Sequence, residues 1–513
     1  MDDAQAKERY ECVPYPSKPQ EFIHPEPLAV ISTIFGGMAP PIDKSRVLEI
    51  GCADGSNAIA IGHYLPGTEV VGIDISREAI ERGRATLKRL RLTNVELYAV
   101  DLREFQPRRA FDYVLCHGLW SWVDASTRSS LLRLIRSVLT PEGVALISYN
   151  TWPGWHTLRP ARDVMQLVAE RTDGNAGELV RSGLDFLELA MPHIARNQSV
   201  YGGMLSHATY TMEGHSESYL FHDFLAPVNQ PFYFRDFVSA LEPHGLRYLG
   251  EASFGQLMPY ELPDELAERI DHLAPDLVTL GQFLDYVRNT AFRVSLICPH
   301  ERVPNRSLDS SSLTKLHVRL VGQELSESTD ESGAVWQAAD GKHVAAVDAL
   351  TREILKHCSA QSDGSLPVAT LYKLCNEATE EGPDSVAARL LRLYAAGVVE
   401  LRTRAIPSVA LKNETPKTNI LASFQLEEEE EGVSTANNSY VELDRFERAL
   451  LTRCDGERTI EVLLEDMLGL VKSGDLEVTI GGVPAKEDSM IREVVAALLP
   501  VKLEQLARLG LLG

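Results

Sequence analysis

Between residues 46 and 150, short apolar runs alternate with amphipathic stretches. The apolar runs lie at 46–50, 69–74, 95–100, 111–116 ("FDYVLC") and 143–149 ("GVALISY"), each of strand length and mostly hydrophobic on both faces. Between them, 56–64, 76–90 and 126–139 carry apolar residues at helical spacing. Buried strands alternating with helices predict an α/β fold, a parallel sheet wrapped by helices. After residue 150 the alternation stops. "TLRPARDVMQLVAERT" and "GELVRSGLDFLELAMPHIARN" predict a helical insertion over 151–230. In 231–304 a helix at 231–243 is followed by strand-like "LRYLGEASF", helices near 263–272 and 277–288, and a strand at 292–299.

The flanking regions have different patterns. Residues 1–45 begin irregularly, with prolines at 14, 16, 19, 25 and 27, then form an amphipathic stretch ending at Gly36-Gly37. Pro25 and Pro27 suit a helix start and the glycine pair its stop. Tyr15 lies in the extended, proline-flanked part, as a lid residue over a ligand or as a packing residue. In 313–412, "VWQAADGKHVAA" reads as a hairpin turning at Asp340-Gly341. Helices at 347–360, 366–376 and 384–395 and the strand "VVELRTR" follow it. Three helices and a β-wing predict a winged-helix-like middle domain. Residues 413–440 contain the run Glu427–Glu431 and read as an acidic, solvated linker; 441–513 read as a C-terminal helical domain.

Composition narrows the function classes. A chain of 513 residues corresponds to three or four domains at roughly 150 residues each. The net charge of −23 disfavours nucleic acid as a partner, since such binding rests on Lys and Arg neutralising phosphates. It tolerates a basic, lysine-bearing one. Seven scattered cysteines with no CxxC argue against disulfides and zinc, so no metal is expected and the compartment is a reducing one. No signal-peptide h-region and no apolar run of transmembrane length is visible. A soluble, cytoplasmic chain without stable membrane insertion is expected.

The chemistry concentrates in "VLEIGCADGSN", residues 47–57. A buried strand, a glycine turn and a helix N-terminus make a ligand cradle, because glycine lets the backbone approach the ligand. The pattern is not GxGxxG. Glu49, Gly51 and Gly55 form acidic-x-Gly-x-x-x-Gly, which resembles the first motif of class I S-adenosylmethionine-dependent methyltransferases. Asp74 ends the second strand about 20 residues past the turn, where a carboxylate can accept both ribose hydroxyls. Asp101 ends the third strand, with Leu102 beside it, in reach of an adenine edge. The candidate cofactor-binding set is Glu49, Gly51, Cys52, Ala53, Asp54, Gly55, Asn57, Asp74, Ile75, Asp101, Leu102 and His117.

"CHGLWSWVD" (116–124) and "LISYNTWPGWHTLRPARDVM" (146–165), with "VPYPS" and "LEIGCADGSN" upstream, carry a more specific resemblance. "FHDFLAPVNQPFYFRDF", "QFLDYVRNTAFRVSLICPH" and "VELDRFERALLTRCDGERT" extend it over nearly the whole chain. The sequence resembles bacterial methyltransferases that carry a methyltransferase regulatory domain, in particular the rickettsial-type protein-lysine methyltransferases. The resemblance implies a Rossmann-like seven-stranded sheet closed by an antiparallel pair, with S-adenosyl-L-methionine as cofactor. It also implies a helical insertion for dimerisation or substrate cover, a middle domain and a C-terminal domain. Its expected activity is N-methylation of lysine in a protein substrate by a homodimer. Alternatives are a methyltransferase for a small molecule or peptide-derived metabolite, and a regulatory S-adenosylmethionine-binding protein. The turn departs from the expected "CASGGN": Asp54 and Ser56 put a charge and a hydroxyl beside the methionyl end. The candidate catalytic residues are His117, just past the fourth strand, Trp120, Trp122 and Tyr149, which with Trp152 supply aromatic faces at the strand ends, and Tyr15 closing from the N-terminal side. His117 is expected to be structural more than a general base.

Overall fold

The computed structural model describes residues 12–15, 17–195, 199–326, 334–338, 341–346, 348–361, 364–405, 414–428, 430–480, 483–484 and 487–513. Helix α1 (Pro25–Ile34) starts with proline at its first position, where no N–H is needed, and His24 Nδ1 accepts from the Glu26 N–H at 3.1 Å. Then come β1 (Arg46–Ile50), α2 (Ser56–Tyr64), β2 (Glu69–Asp74), α3 (Arg77–Leu90), β3 (Val95–Ala99), β4 (Phe111–Cys116), α4 (Ala125–Val138) and β5 (Leu139–Asn150). The helical insertion follows as α5 (Trp155–Ala169), α6 (Ala176–Ala195), α7 (Val200–Met212) and α8 (Glu217–Leu225). After the short α9 (Phe234–Ser239) the chain returns through β6 (Leu246–Glu251), α10 (Asp264–Leu273), α11 (Leu277–Arg288) and β7 (Phe292–Pro299).

The seven strands form one sheet in the order β3-β2-β1-β4-β5-β7-β6. The first five run parallel, while β7 slots between β5 and β6, antiparallel to both. Helices on both faces explain the unbroken apolar strands: Val47, Leu48, Val114, Leu115, Leu146 and Ile147 are all fully buried. Each such side chain contributes about 1.5–3 kcal/mol. The α/β class and the closing antiparallel pair are as expected; β5 starts four residues early because Leu139 pairs with Phe111. The insertion has its own core, with Leu158, Ala161 and Met165 on one face of α5.

The C-terminal half contains the hairpin, helices and strand read from the sequence, with strand pairings that reading left open, and differs from it in the stretch read as a linker. Strands Ala334–Gln337 and His343–Ala346 do pair as a hairpin, though Asp340 lies outside the described residues. That hairpin joins Gln323–Ser326, whereas Val399–Arg402 pairs with His317–Leu320 beside the helices Ala349–Ser359, Val368–Thr379 and Pro383–Ala395. The stretch read as a solvated linker is structured. Asn419 caps a helix, Ile420–Glu427, whose Leu421 and Ala422 are buried, and strand Gly432–Ser434 pairs with Tyr440–Glu442. Three of its glutamates stay exposed yet have partners: Glu427 and Glu428 pair with Arg89 of α3, and Glu431 lies 3.8 Å from Lys18. Among the described residues, no helix is long and apolar enough to cross a membrane.

Candidate donor-binding site

The site is built on the turn between β1 and α2. Gly51, Ala53 and Gly55 all have left-handed backbones, at φ +78°, +50° and +77°. A Cβ on Gly51 would meet nothing within 4 Å, so the turn faces open space there. A Cβ on Gly55 would lie 2.8 Å from Leu97 Cδ2 of β3, so that glycine is needed for close packing. The N–H groups of Gly51 and Cys52 donate to the Ile73 carbonyl at 2.8 and 3.1 Å, tying the turn to the end of β2.

Asp74 sits at that end and acts on both sides. Its Oδ2 accepts from the Ala53 N–H at 2.9 Å and its Oδ1 from the Ser76 N–H at 2.8 Å. Glu49 is buried on β1; its Oε1 accepts from Asn57 Nδ2 at 3.2 Å, the Ala58 backbone N–H at the start of α2 also supports the carboxyl, and Oε2 makes no hydrogen bond of full geometry within the protein. Burial pushes the Glu49 carboxyl up to about 8, with Asp54 and Asp74 adding to it, and burial raises Asp74 as well. Three carboxylates crowd a turn whose sequence, 47–57, has no Lys or Arg. Such a site fits the sulfonium and ammonium of S-adenosylmethionine, and Glu49 Oε2 and the open space over Gly51 fit its methionyl end.

The two residues that depart from the expected turn satisfy each other. Asp54 Oδ1 accepts from the Ser56 N–H at 3.0 Å and from Ser56 Oγ at 2.6 Å, a local turn at the start of α2. Asp101 lies past β3 and is held by Arg103, whose backbone N–H and Nε donate to Oδ1 at 2.8 and 2.9 Å; the side-chain bond keeps its carboxyl below the usual range. Ile75 and Leu102 are half-buried beside their aspartates.

His117 follows β4, with Nδ1 2.9 Å from Ser148 Oγ on β5. The Gly118 N–H donates to the same oxygen at 2.8 Å, which leaves the serine hydroxyl hydrogen available to Nδ1. The ring meets Phe22 and Phe292 edge-on at 5.2 and 6.0 Å. Burial holds its pKa down to about 4, so it is neutral at pH 7 and a poor acceptor for an ammonium proton.

The aromatic candidates divide. Trp120 and Tyr149 are core residues, not pocket walls. Trp120 is 2% exposed with its ring 5.3 Å from Phe237; Tyr149 is 1% exposed and stacks on Phe237 at 4.2 Å, its hydroxyl 3.0 Å from Ser295 Oγ. Apolar packing at the strand ends claims both rings. Trp122 is half-buried, and Trp152 stacks on His156 at 4.1 Å. Tyr15 lies against α8, 5.4 Å from His222 and 6.3 Å from Tyr219; next to it, Ser218 Oγ donates to the Pro14 carbonyl. The structure thus gathers Glu49 to Gly55, Asn57 and Asp74 into one turn and sets Tyr15 on the insertion. Phe22, Ser148 and Phe292 were missed from sequence: Phe22 sits in a single 3-10 turn, Glu21–Ile23, and Phe292 at the start of β7, where an aromatic carries no periodic signal, although Ser148 lies inside "LISYN".

Three parts of the chain match known families: residues 48–145 a family described as "Methyltransferase domain", 216–299 "Predicted methyltransferase regulatory domain", and 414–511 "PKMT, C-terminal winged helix domain". The last match joins the stretch read as a linker to the C-terminal helices. An uncharacterized protein of Rickettsia prowazekii is 25% identical over 98% of this chain and 93% of its own length. A second from that organism is 29% identical over 47% of this chain and 96% of its own. Among solved structures, PKMT2 from Rickettsia typhi in complex with AdoHcy superimposes with a TM-score of 0.83. It is 23% identical and aligned over 97% of this chain and 100% of that one.

Proposed function

We propose that this chain, a class I S-adenosylmethionine-dependent methyltransferase with a methyltransferase regulatory domain, methylates the side-chain amine of lysine in a protein substrate. The observation that carries the substrate class is the C-terminal match to the winged-helix domain described for PKMT proteins, at 414–511. The cofactor supplies a methyl group on a positively charged sulfonium. The backbone from Gly51 to Gly55 would hold the methionyl part, and Glu49 Oε2 its ammonium. Asp74 would take the ribose hydroxyls through lone pairs not used by Ala53 and Ser76, and Asp101 with Leu102 the adenine edge. His117 is a wall residue here: neutral, and buttressed by Ser148, Phe22 and Phe292.

A lysine ammonium with a pKa of about 10.4 must lose its proton before it attacks. Burial beside a sulfonium favours the neutral amine, so water suffices as acceptor. Trp122, Trp152 and Tyr15 are the aromatic faces outside the core that could guide the lysine stem. The test is incubation of the full chain with isotopically labelled donor and bacterial lysate, followed by mass spectrometry. Label on lysine Nζ of a protein is expected. Label confined to small molecules, or none anywhere, would overturn the reading.

The working form in this reading is a homodimer joined through the insertion. Leu189, Val200 and Tyr210 are 81%, 84% and 73% exposed there, apolar area that a second copy would cover. Light scattering is expected to give a dimer mass for the wild type and a monomer mass for Leu189→Glu with Tyr210→Glu. A monomeric wild type, or a double variant that stays dimeric, counts against it. Cysteines that are all unpaired, six of them buried, support a reducing, cytoplasmic location.

A further inference from the structure

The C-terminal region reaches the donor turn directly. The tip between strands Gly432–Ser434 and Tyr440–Glu442 carries Asn438, which is 2% exposed and has a left-handed backbone at φ +61°. Its Nδ2 donates to the Gln20 carbonyl at 2.8 Å and also to Asn57 Oδ1. Asn57 stands in the first turn of α2 and donates its own Nδ2 to Glu49 Oε1 at 3.2 Å. One side-chain relay, Asn438 to Asn57 to Glu49, therefore joins the last domain to the strand beneath the donor turn.

The relay fixes a choice that sequence leaves open. A side-chain amide has an acceptor end and a donor end, and turning it over exchanges them. Asn438 offers Asn57 an N–H, so the Asn57 oxygen faces Asn438 and its NH₂ faces the Glu49 carboxylate. Turned over, Asn57 would set an oxygen against Glu49, an arrangement that only the protonated carboxyl could meet and that opposes the carboxylate a cationic donor calls for. We infer that Asn438 is a positioning residue for donor binding: by orienting the Asn57 amide it holds Glu49 with Oε2 free for the donor, so the C-terminal domain is part of the donor site. This rests on the assignment of Glu49 and Asp74 to the donor.

Other contacts at this interface dock the domain without entering the relay. Tyr64 Oη donates to the Ser434 carbonyl at 2.7 Å and accepts from Asn419 Nδ2 at 3.0 Å. The Arg89 guanidinium lies 4.6 Å from the centre of the Phe424 ring. Tyr64→Phe therefore loosens docking and leaves the relay intact.

The experiment is calorimetric binding of S-adenosylhomocysteine to the full chain. Asn438→Gly keeps the left-handed backbone and removes the amide. Asn438→Asp keeps shape and backbone but offers Asn57 only acceptors, which favours the turned-over amide. Weakening of about tenfold is expected for Asn438→Asp, less for Asn438→Gly, and under twofold for Tyr64→Phe. In turnover, the donor KM of Asn438→Asp rises while kcat at saturating donor holds. A merely space-filling role predicts the opposite order, with Asn438→Gly the worse. That order, wild-type binding by both Asn438 variants, or equal weakening by Tyr64→Phe would overturn the inference. Asp74→Ala in the same titration separates the premise: if it too binds like the wild type, the donor assignment itself fails.

Discussion

Replacing Arg293 by methionine is expected to lower the stability of the chain by about 3–5 kcal/mol, the cost of stranding buried charge. Arg293 on β7 is 2% exposed. It lies 2.8 Å from Glu251 Oε1 on β6 and 3.0 Å from Asp285 Oδ1 on α11, carboxylates that are 0% and 1% exposed. Its NH2 group donates to the Gly281 carbonyl at 3.0 Å, and the guanidinium lies 3.9 Å from the centre of the Phe234 ring. Tyr248 Oη and Ser295 Oγ each donate to Glu251 Oε1 at 2.8 Å. Burial alone would disfavour the arginine charge, but the two carboxylates outweigh it and raise its pKa. Methionine keeps the packing stem and leaves two carboxyl groups buried without a cation.

Urea unfolding measures the effect. Adding Glu251→Gln and Asp285→Asn to Arg293→Met is expected to recover much of the loss, because no charge is then stranded. A loss below about 1 kcal/mol for the single variant would refute the charge argument. The network also bears on function. It joins β6, β7 and α11, and Phe292, which flanks His117, is the residue before Arg293.

Asp74→Ala is expected to weaken donor binding by about 100-fold, equivalent to roughly 2.7 kcal/mol. Two losses combine. In the proposed donor pose the ribose hydroxyls lose an acceptor, and the N–H groups of Ala53 and Ser76 lose the oxygens that hold the turn to the start of α3. Calorimetry with S-adenosylhomocysteine measures this, and affinity equal to the wild type would end the ribose assignment. Asp101→Ala should cost less, since Arg103 already engages that carboxylate.

How much of this could be read from the chain depends on how local each cause is. The parallel strands, the glycine turn and the place of Asp74 follow from patterns within a few residues. Unbroken apolar runs need cover on both faces, and left-handed positions need small residues. The closing antiparallel pair came through family resemblance, because β6 and β7 lie 40 residues apart and their pairing leaves no periodic mark.

What sequence could not reveal is where local signals meet distant partners. Aromatic rings at strand ends serve equally as pocket walls or as core, and the packing around Phe237 settled Trp120 and Tyr149 as core. A glutamate run reads as a linker, and nothing in it tells of the helix that carries it or of Arg89 as its partner. Asn438 is more than 380 positions along the chain from both Asn57 and Glu49. A pattern of apolar and polar residues states which side of an element is buried; it carries no record of what buries it. The donor turn is therefore written in the sequence from Glu49 to Asn57, while the amide that orients its carboxylate comes from the far end of the chain and exists as a contact only once the domains have packed.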